Sequence, residues 1–188
     1  MNQGTYSIKT MKTQFSRLEG CIPGEWNLVP VDGSKQPVDI HTGEGFRDWQ
    51  KSTLKLADLL SEPRYVQAIG VLTGPSSNGL LVIDIDSNDG CILLETITGK
   101  SLSDFPATIG CTSGRQGSQK LFYRVPEKEA WGRLRTVRRP GLDILWNGCQ
   151  AVLMGDHPTT GSYQWLKGCA PYETALADAP CWLLDSLM

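Results

Sequence analysis

The chain has 188 residues, of which 40% are hydrophobic and 20% are charged, as is typical of an ordinary globular protein. It holds no apolar run of membrane-spanning length, and its N-terminal stretch MNQGTYSIKTMKTQF lacks the apolar centre of a secretory signal. We therefore expect a cytoplasmic protein without membrane partners. The net charge of −2 is a poor signature of a nucleic-acid binder, so any such role must rest on local basic clusters.

The first half of the chain predicts a loosely held N-terminal segment followed by short strands and one clear helix. Residues 1–20 form either that loosely held segment or a short helix around Met11–Leu18. A strand at WNLVPV, a polar loop and a helix over Ser52–Leu60 with Ser52 as its cap come next. QAIGVLTG and LLVIDID then read as two strands, and the turn signal SSNG between them predicts a hairpin.

The second half predicts more strands and closes on a helix. A turn at Asp89-Gly90 precedes a short helix over residues 91–98, and the loop GRQGS separates the strands TIGCTSG and QKLFYRV. GLDILWNG and CQAVLMGD read as a hairpin around Asn147-Gly148, SYQWLKG as a last strand, and ALADAPCWLLDSLM as a helix. Helices among mostly antiparallel strands predict an α+β fold.

The six cysteines do not indicate a structural metal site. No two of them form a C-x-x-C pair, and only two histidines are present to supplement them. We expect reduced thiols that pack as small hydrophobic side chains.

The strand LLVIDID ends in two aspartates one residue apart. Since side chains alternate along a strand, Leu81, Ile83 and Ile85 share one face. Asp84 and Asp86 share the other, about 7 Å apart at their Cα atoms. Two like charges at that spacing repel, so a cation is expected between them, although aspartates also end strands for capping and solubility.

Asp143 is a third acid in an apolar setting, flanked by Leu142 and Ile144 in GLDILW. A buried unpaired carboxylate there would cost several kcal/mol, so it faces a cleft or meets a cation. Three carboxylates from two strands would suit two Mg²⁺ or Mn²⁺ ions, because hard cations prefer oxygen ligands. Such a pair of ions can clamp the attacking and leaving oxygens of a phosphoryl displacement.

Two basic segments accompany the acids. In TSGRQGSQKLFYRV, the residues Ser113, Gly114 and Gly117 give a flexible backbone whose N–H groups can approach phosphate, with Arg115 and Lys120 nearby. Glycine-serine loops between strands are, however, common as plain turns. The second segment, GRLRTVRRPG, concentrates four arginines before Asp143, and by itself it would be read as a solvated loop: Arg133, Arg135, Arg138 and Arg139.

Taken in order, these motifs resemble a known family. The segments TGPSSNGLLVIDID, SGRQGSQKLFYRVP and GLDILWNGCQAVL, followed by DHPTTGSYQW, are similar to the N-terminal catalytic domain of bifunctional DNA primase/polymerases. This prim-pol branch belongs to the archaeo-eukaryotic primase superfamily and occurs on plasmids, phages and integrated elements. The resemblance covers roughly residues 22–167, and WNLVPV and FRDW resemble the opening segment of that branch.

The resemblance implies roles for single residues. Asp84 and Asp86 match the metal-binding acids of the first motif, and Asp143 matches the single acid of the third. The second motif places a Ser and a His near the nucleotide; here Gln119 or Lys120 stands where the His is expected. Candidate nucleotide ligands are therefore Ser113, Arg115, Gln119, Lys120 and His157, together with Lys35 for the triphosphate; His157 could equally be a loop residue with local hydrogen bonds. The four arginines are candidates for the template backbone.

The resemblance also implies a fold and an activity. A compact core with an RRM-like, mostly antiparallel sheet occupies residues 21–170, with a small N-terminal α/β part and a C-terminal helix over 171–188. The implied activity is template-directed nucleotidyl transfer, as DNA primase or polymerase, on single-stranded DNA and NTP or dNTP. A replicative helicase would act from another chain. The alternative is a degenerate module that binds nucleotide or single-stranded DNA without efficient synthesis.

Two enzyme classes with the same D-x-D feature fit less well. A haloacid-dehalogenase-type phosphatase places a Thr or Val two residues after the second Asp and continues with parallel βαβ units. This chain has Asn88 there and no such series. A metal-dependent glycosyltransferase uses D-x-D to hold a nucleotide-sugar, but it rarely fits so short a chain and does not account for Asp143.

Overall fold

The computed structural model describes residues 15–188, which build two antiparallel sheets and a few short helices. Residues 1–14, and with them the first half of the predicted helix around Met11–Leu18, lie outside the described residues. In the described part, no helix is long and apolar enough to cross a membrane.

The strands, in chain order, are β1 (Leu28–Val31), β2 (Ala68–Leu72), β3 (Leu80–Ile85), β4 (Gly110–Thr112), β5 (Gln119–Arg124), β6 (Val137–Arg139), β7 (Leu142–Leu145), β8 (Gln150–His157), β9 (Gly161–Ser162), β10 (Gln164–Trp165) and β11 (Ala177–Asp178). A small sheet has the order β1-β2-β8-β9, and a large sheet has the order β10-β4-β5-β3-β7-β6. The neighbours in both sheets are antiparallel, while β11 joins β5 in parallel.

The helices are short; two lie between strands and the third follows the last strand. They are α1 (Leu56–Ser61), α2 (Asn88–Thr98) and α3 (Cys181–Asp185). The Ser87 side chain caps α2 by accepting from the Gly90 backbone N–H, so this helix begins three residues before the predicted start. The predicted turn at Asp89-Gly90 is accordingly wrong: both residues lie in the first turn of α2.

The large sheet is buried on both faces, and β3 shows why its sequence is so apolar. Leu80 and Val82 belong to a first core, which the large sheet shares with β1, β2 and β8 of the small sheet. Leu81, Ile83 and Ile85 belong to a second core, which α2 and α3 cover. The predicted alternation of faces along this strand is therefore confirmed, and the α+β prediction with it.

Both predicted hairpins are wrong, because each joins strands of different sheets. β2 pairs with β1 and β8, whereas β3 pairs with β5 and β7. A 3₁₀ turn over Pro75–Ser77 carries the chain from one sheet to the other, and only the single bridge between Gly74 and Leu80 remains of the hairpin. Likewise β7 pairs with β3 and β6, and β8 with β2 and β9.

The Asn147-Gly148 turn is held by the small sheet rather than by its own strands. The Thr73 hydroxyl lies against the carbonyls of Trp146 and Cys149, on either side of the turn. Trp146, just after β7 of the large sheet, is buried in the second core, whereas the next strand, β8, belongs to the small sheet. The chain therefore crosses between the sheets at this turn. A strong local turn signal here marks a crossover between layers.

Other boundaries differ for local reasons. Ser52 does not cap a helix: its hydroxyl donates to the Leu28 carbonyl at 2.7 Å, and α1 starts after Lys55, whose N–H donates to Asp58. The predicted strand SYQWLKG divides into β9 and β10, which belong to different sheets. The C-terminal helix is confined to α3, since residues Ala177–Asp178 form β11 against β5.

Candidate active site

The first acid of the D-x-D motif lies in a row of charges that crosses the large sheet. Asp84 on β3 stands directly opposite Lys120 on β5 and Asp143 on β7. Asp143 in turn stands opposite Arg138 on β6. Directly opposed residues share a face, so these four side chains, which we call the charged row, project from the same side of the sheet.

The face of the charged row is the one that borders the first core. Val82 and Leu145, two residues from Asp84 and Asp143, both pack into that core. Leu142 and Ile144 pack into the second core, so Asp143 points away from its apolar neighbours, as predicted. The backbone thus brings two carboxylates side by side at the margin between the two sheets, where like charges need cationic partners.

Lys120 and Asp84 form the most buried ion pair among the described residues. The Lys120 Nζ lies 2.9 Å from Asp84 Oδ2, with the two side chains 10% and 18% exposed. Burial raises the pKa of Asp84, and the Lys120 charge opposes that shift. Burial by itself would lower the pKa of Lys120, but the charge and hydrogen bond of Asp84, together with the neighbouring Tyr163 and Cys111, outweigh burial and raise it, so the ammonium stays protonated at neutral pH.

Asp86 follows β3 and pairs with Arg115 from the loop between β4 and β5. The Arg115 Nη2 contacts Asp86 Oδ1, and its Nε lies 3.3 Å from the Ser113 hydroxyl. Both charged side chains are 45% exposed. The loop itself is tightly tied: the hydroxyls of Ser113 and Ser118 lie 2.7 Å apart, and the Ser118 N–H donates to the Arg115 carbonyl.

Asp143, the third acid, forms an ion pair with Arg138. The Arg138 Nη1 lies 2.6 Å from Asp143 Oδ2, with the arginine side chain 62% exposed and the acid 30% exposed. Each of the three acids therefore has its own basic partner, and the partners differ in burial: Lys120 is enclosed, whereas Arg115 and Arg138 are open to solvent.

An aromatic ring from the small-sheet side lies above the charged row. The Tyr163 ring follows β9, and the Nζ atoms of Lys120 and Lys35 lie 5.1 Å and 5.7 Å from its centroid. Among residues 15–188, Lys35 has no carboxylate within ion-pair distance. Burial, together with the charges of Lys120 and Arg115, lowers its pKa. This ammonium thus lies near Asp84 and Asp86, whose charges partly offset that lowering of its pKa, without an ion-pair partner among the described residues.

His157 at the end of β8 packs edge-on against Tyr163, with 5.1 Å between ring centroids. Its Nδ1 lies 2.8 Å from the Thr160 hydroxyl, which in turn contacts the Ser113 carbonyl. Burial and the nearby charge of Lys35 lower the pKa of His157 to about 4, so the ring is neutral at physiological pH. The His157 Nε2 and the Tyr163 hydroxyl are buried and make no hydrogen bond in the described part of the chain.

The donor chemistry of the three acids fits hard divalent ions, but their present partners are side chains of this protein. Carboxylate oxygens are preferred ligands of Mg²⁺ and Mn²⁺. Within residues 15–188, however, no three His, Cys, Asp or Glu side chains are gathered closely enough to hold a metal ion. Asp84, Asp86 and Asp143 instead each form an ion pair with a basic side chain.

A family comparison shows which family the chain belongs to. Residues 20–182 match the model of the bifunctional DNA primase/polymerase N-terminal domain, Prim-Pol, which spans most of the chain. The chain belongs to the Prim-Pol family. The match confirms the resemblance carried by the three motifs and is that of a DNA primase/polymerase domain. A comparison with curated proteins gives no match.

Some of the residues predicted for the site lie on the face of the acids and others do not. Lys120 lies on the face of the acids, whereas Gln119 stands opposite Ile85 and so shares the face of the second core. The four arginines of GRLRTVRRPG do not form one patch: Arg138 belongs to the charged row, and Arg139 lies on the other face of β6, on the side of Val137, which packs against the second core. Arg133 and Arg135 are exposed in the preceding turn.

Sequence reasoning missed Tyr163 and underrated Lys35. Tyr163 lies in the segment GSYQW, whose alternation signals only a strand, and nothing local shows that it stacks over lysines from distant segments. Lys35 sits in a turn with a left-handed backbone, φ 65°, far from any motif. Its position over the Tyr163 ring follows only from the way the small sheet folds onto the large one.

Proposed function

We propose that this Prim-Pol domain is a template-directed nucleotidyltransferase, a DNA primase and/or polymerase serving replication of a plasmid, phage or integrated element. The observation that carries the proposal is the direct opposition of Asp84 and Asp143 on neighbouring strands, with Asp86 at the end of β3. Family membership gives this arrangement its chemical meaning. In the same proposal, the large sheet is the RRM-like core of the superfamily.

In this proposal, some residues of the site bind metal ions and others bind and orient the nucleotide. Asp84, Asp86 and Asp143 would hold Mg²⁺ or Mn²⁺, two ions in the mechanism we propose, which when bound stabilise charge on the reacting phosphate. Lys35 and Arg115 would receive the nucleotide's triphosphate, because charge-assisted hydrogen bonds to phosphate are the strong ones. Holding the α-phosphate and the attacking 3′-hydroxyl in register supplies much of the rate.

The surrounding residues would shape the nucleotide pocket. Ser113 contacts Arg115, and His157 packs against the Tyr163 ring with a neutral imidazole whose buried Nε2 has no hydrogen-bond partner in the described chain. Lys120 would add charge from beneath the triphosphate. Gln119 is not carried into the proposal, because its side chain lies on the opposite face of β5. Arg138, with Arg133 and Arg135, would track a single-stranded template.

A second candidate function is a degenerate module that binds nucleotide or single-stranded DNA without efficient synthesis. One observation favours it: all three acids are already paired with basic side chains. Such a module could recruit a replication partner, such as a helicase on another chain. It has no need, however, for two acids held directly opposite each other on neighbouring strands.

Substitution of Asp143 by Asn distinguishes the two functions. The amide keeps the shape but cannot supply an anionic ligand, so D143N should lower nucleotide incorporation at least about a hundredfold. Asp156→Asn on β8 is the matched control, since this acid lies on the small sheet and should leave incorporation within about twofold. Equal incorporation by D143N and wild type would remove Asp143 from the mechanism. Binding of DNA without incorporation by any form would favour the binding module.

A further inference from the structure

The ion pairs of Asp84 and Asp86 differ in burial, and therefore in the cost of breaking them. The Lys120–Asp84 pair is enclosed, and breaking it would leave a buried charge without a partner. The Arg115–Asp86 pair is almost half exposed on both sides. Exposed pairs of this kind stabilise little, because water solvates both ions well once they separate. Arg115 can therefore leave Asp86 at small cost, whereas Lys120 cannot leave Asp84.

The cations near Arg115 would attract a polyphosphate, which would compete with Asp86 for the guanidinium. Lys35, which makes no ion pair in the described chain, lies over the same Tyr163 ring as Lys120, with the two Nζ atoms 5.7 Å and 5.1 Å from the ring centroid. A polyphosphate drawn to these cations would offer Arg115 a bidentate acceptor of higher charge than one carboxylate. The base of the loop would stay in place, because the Ser113–Ser118 contact and the packing of Gly117 against Asn88 fix it.

We propose that Arg115 is an exchangeable counter-ion, which neutralises Asp86 in the absence of nucleotide and moves to the nucleotide's phosphates on binding, so that Asp86 accepts a divalent ion only together with nucleotide. This inference rests on the proposed function. Metal and nucleotide then bind cooperatively, and by linkage each strengthens the binding of the other. The arrangement keeps the bare protein from holding metal that no substrate can use.

The test measures Mn²⁺ binding to the full chain without nucleotide, by the electron paramagnetic resonance signal of free Mn²⁺. Arg115→Gln removes a positive charge and frees Asp86, so R115Q should bind Mn²⁺ about tenfold more tightly than wild type. The same variant should raise the KM for nucleotide about tenfold, since the triphosphate loses a guanidinium. One substitution would thus move metal and nucleotide affinity in opposite directions.

Two further variants separate the possible failures. Arg124→Gln breaks the similarly exposed Arg124–Asp178 pair away from the site and should leave Mn²⁺ binding unchanged. Adding Asp86→Asn to R115Q should abolish the gain. If R115Q binds Mn²⁺ no more tightly than wild type while D86N weakens binding, the counter-ion role is overturned and the metal site survives. If D86N changes Mn²⁺ binding in neither background, the metal site of the proposed function fails.

Discussion

Lys120 shows how a single residue can be costly to bury and still be retained at a site. Lys120 as a whole is 8% exposed. Its charge is tolerated because Asp84 Oδ2 lies 2.9 Å from its Nζ and the Tyr163 ring lies close to the ammonium. A buried ion pair contributes little net stability compared with apolar residues of similar size, but removing one partner is expensive. The pair therefore fixes the orientation of Asp84 more than it stabilises the fold.

Substituting Lys120 alone should expose this dependence. Lys120→Met leaves Asp84 buried without a counter-ion, so the free energy of unfolding should fall by about 3 kcal/mol, measured by urea denaturation. Adding Asp84→Asn removes the stranded charge and should recover much of that loss, a coupling that a double-mutant cycle reports. Losses that simply add in the double variant would mean that the two side chains do not depend on each other.

At the scale of elements, the contact between α2 and the turn before β7 positions Asp143. Gly90 in the first turn of α2 lies against Gly141, and a Cβ on Gly90 would stand 1.8 Å from the Gly141 carbonyl oxygen. The same carbonyl accepts the Asp86 N–H at 2.8 Å. This one turn therefore connects the helix, the end of β3 and the start of β7, which carry two of the acids.

Alanine at Gly90 should disturb both stability and the site. Alanine is intrinsically favourable in a helix, so any loss must come from the clash with Gly141. We expect G90A to lower the free energy of unfolding by about 2–3 kcal/mol and to reduce nucleotide incorporation. Gly132→Ala is the control, because a Cβ there meets nothing within 4 Å and the residue has no left-handed backbone. A G90A protein as stable as G132A would show that α2 does not approach so closely.

Local patterns predicted the strands and the acid-bearing face well, since alternation along β3 and β7 depends on neighbours in sequence. They failed where the chain changes layer. SSNG and Asn147-Gly148 have the composition of hairpin turns, but the strands beside them pair with partners from other parts of the chain. The ion pairs of the acids were also beyond reach of the sequence, because Arg115 and Arg138 approach them from a separate loop and strand.

At the scale of the whole molecule, several positive side chains lie together at the site although the net charge of the chain is slightly negative. The chain carries a net charge of −2, yet the site gathers Lys35, Lys120 and two arginines around three acids. A small sheet brings Lys35, His157 and Tyr163 over the row of charges that the large sheet presents. Only the packing of the two sheets assembles these groups, so nucleotide transfer would be a property of the intact domain.

The most direct test of this account is a gel assay of nucleotide incorporation on single-stranded template. Wild type and the Asp84→Ala/Asp86→Ala double variant are compared with Mg²⁺ or Mn²⁺, with and without primer, after circular dichroism has shown that both are folded. We predict metal-dependent products from wild type that vanish in the folded variant, and products without primer would make the enzyme a primase. Products of equal yield from both proteins, or none from wild type with either metal, would contradict it.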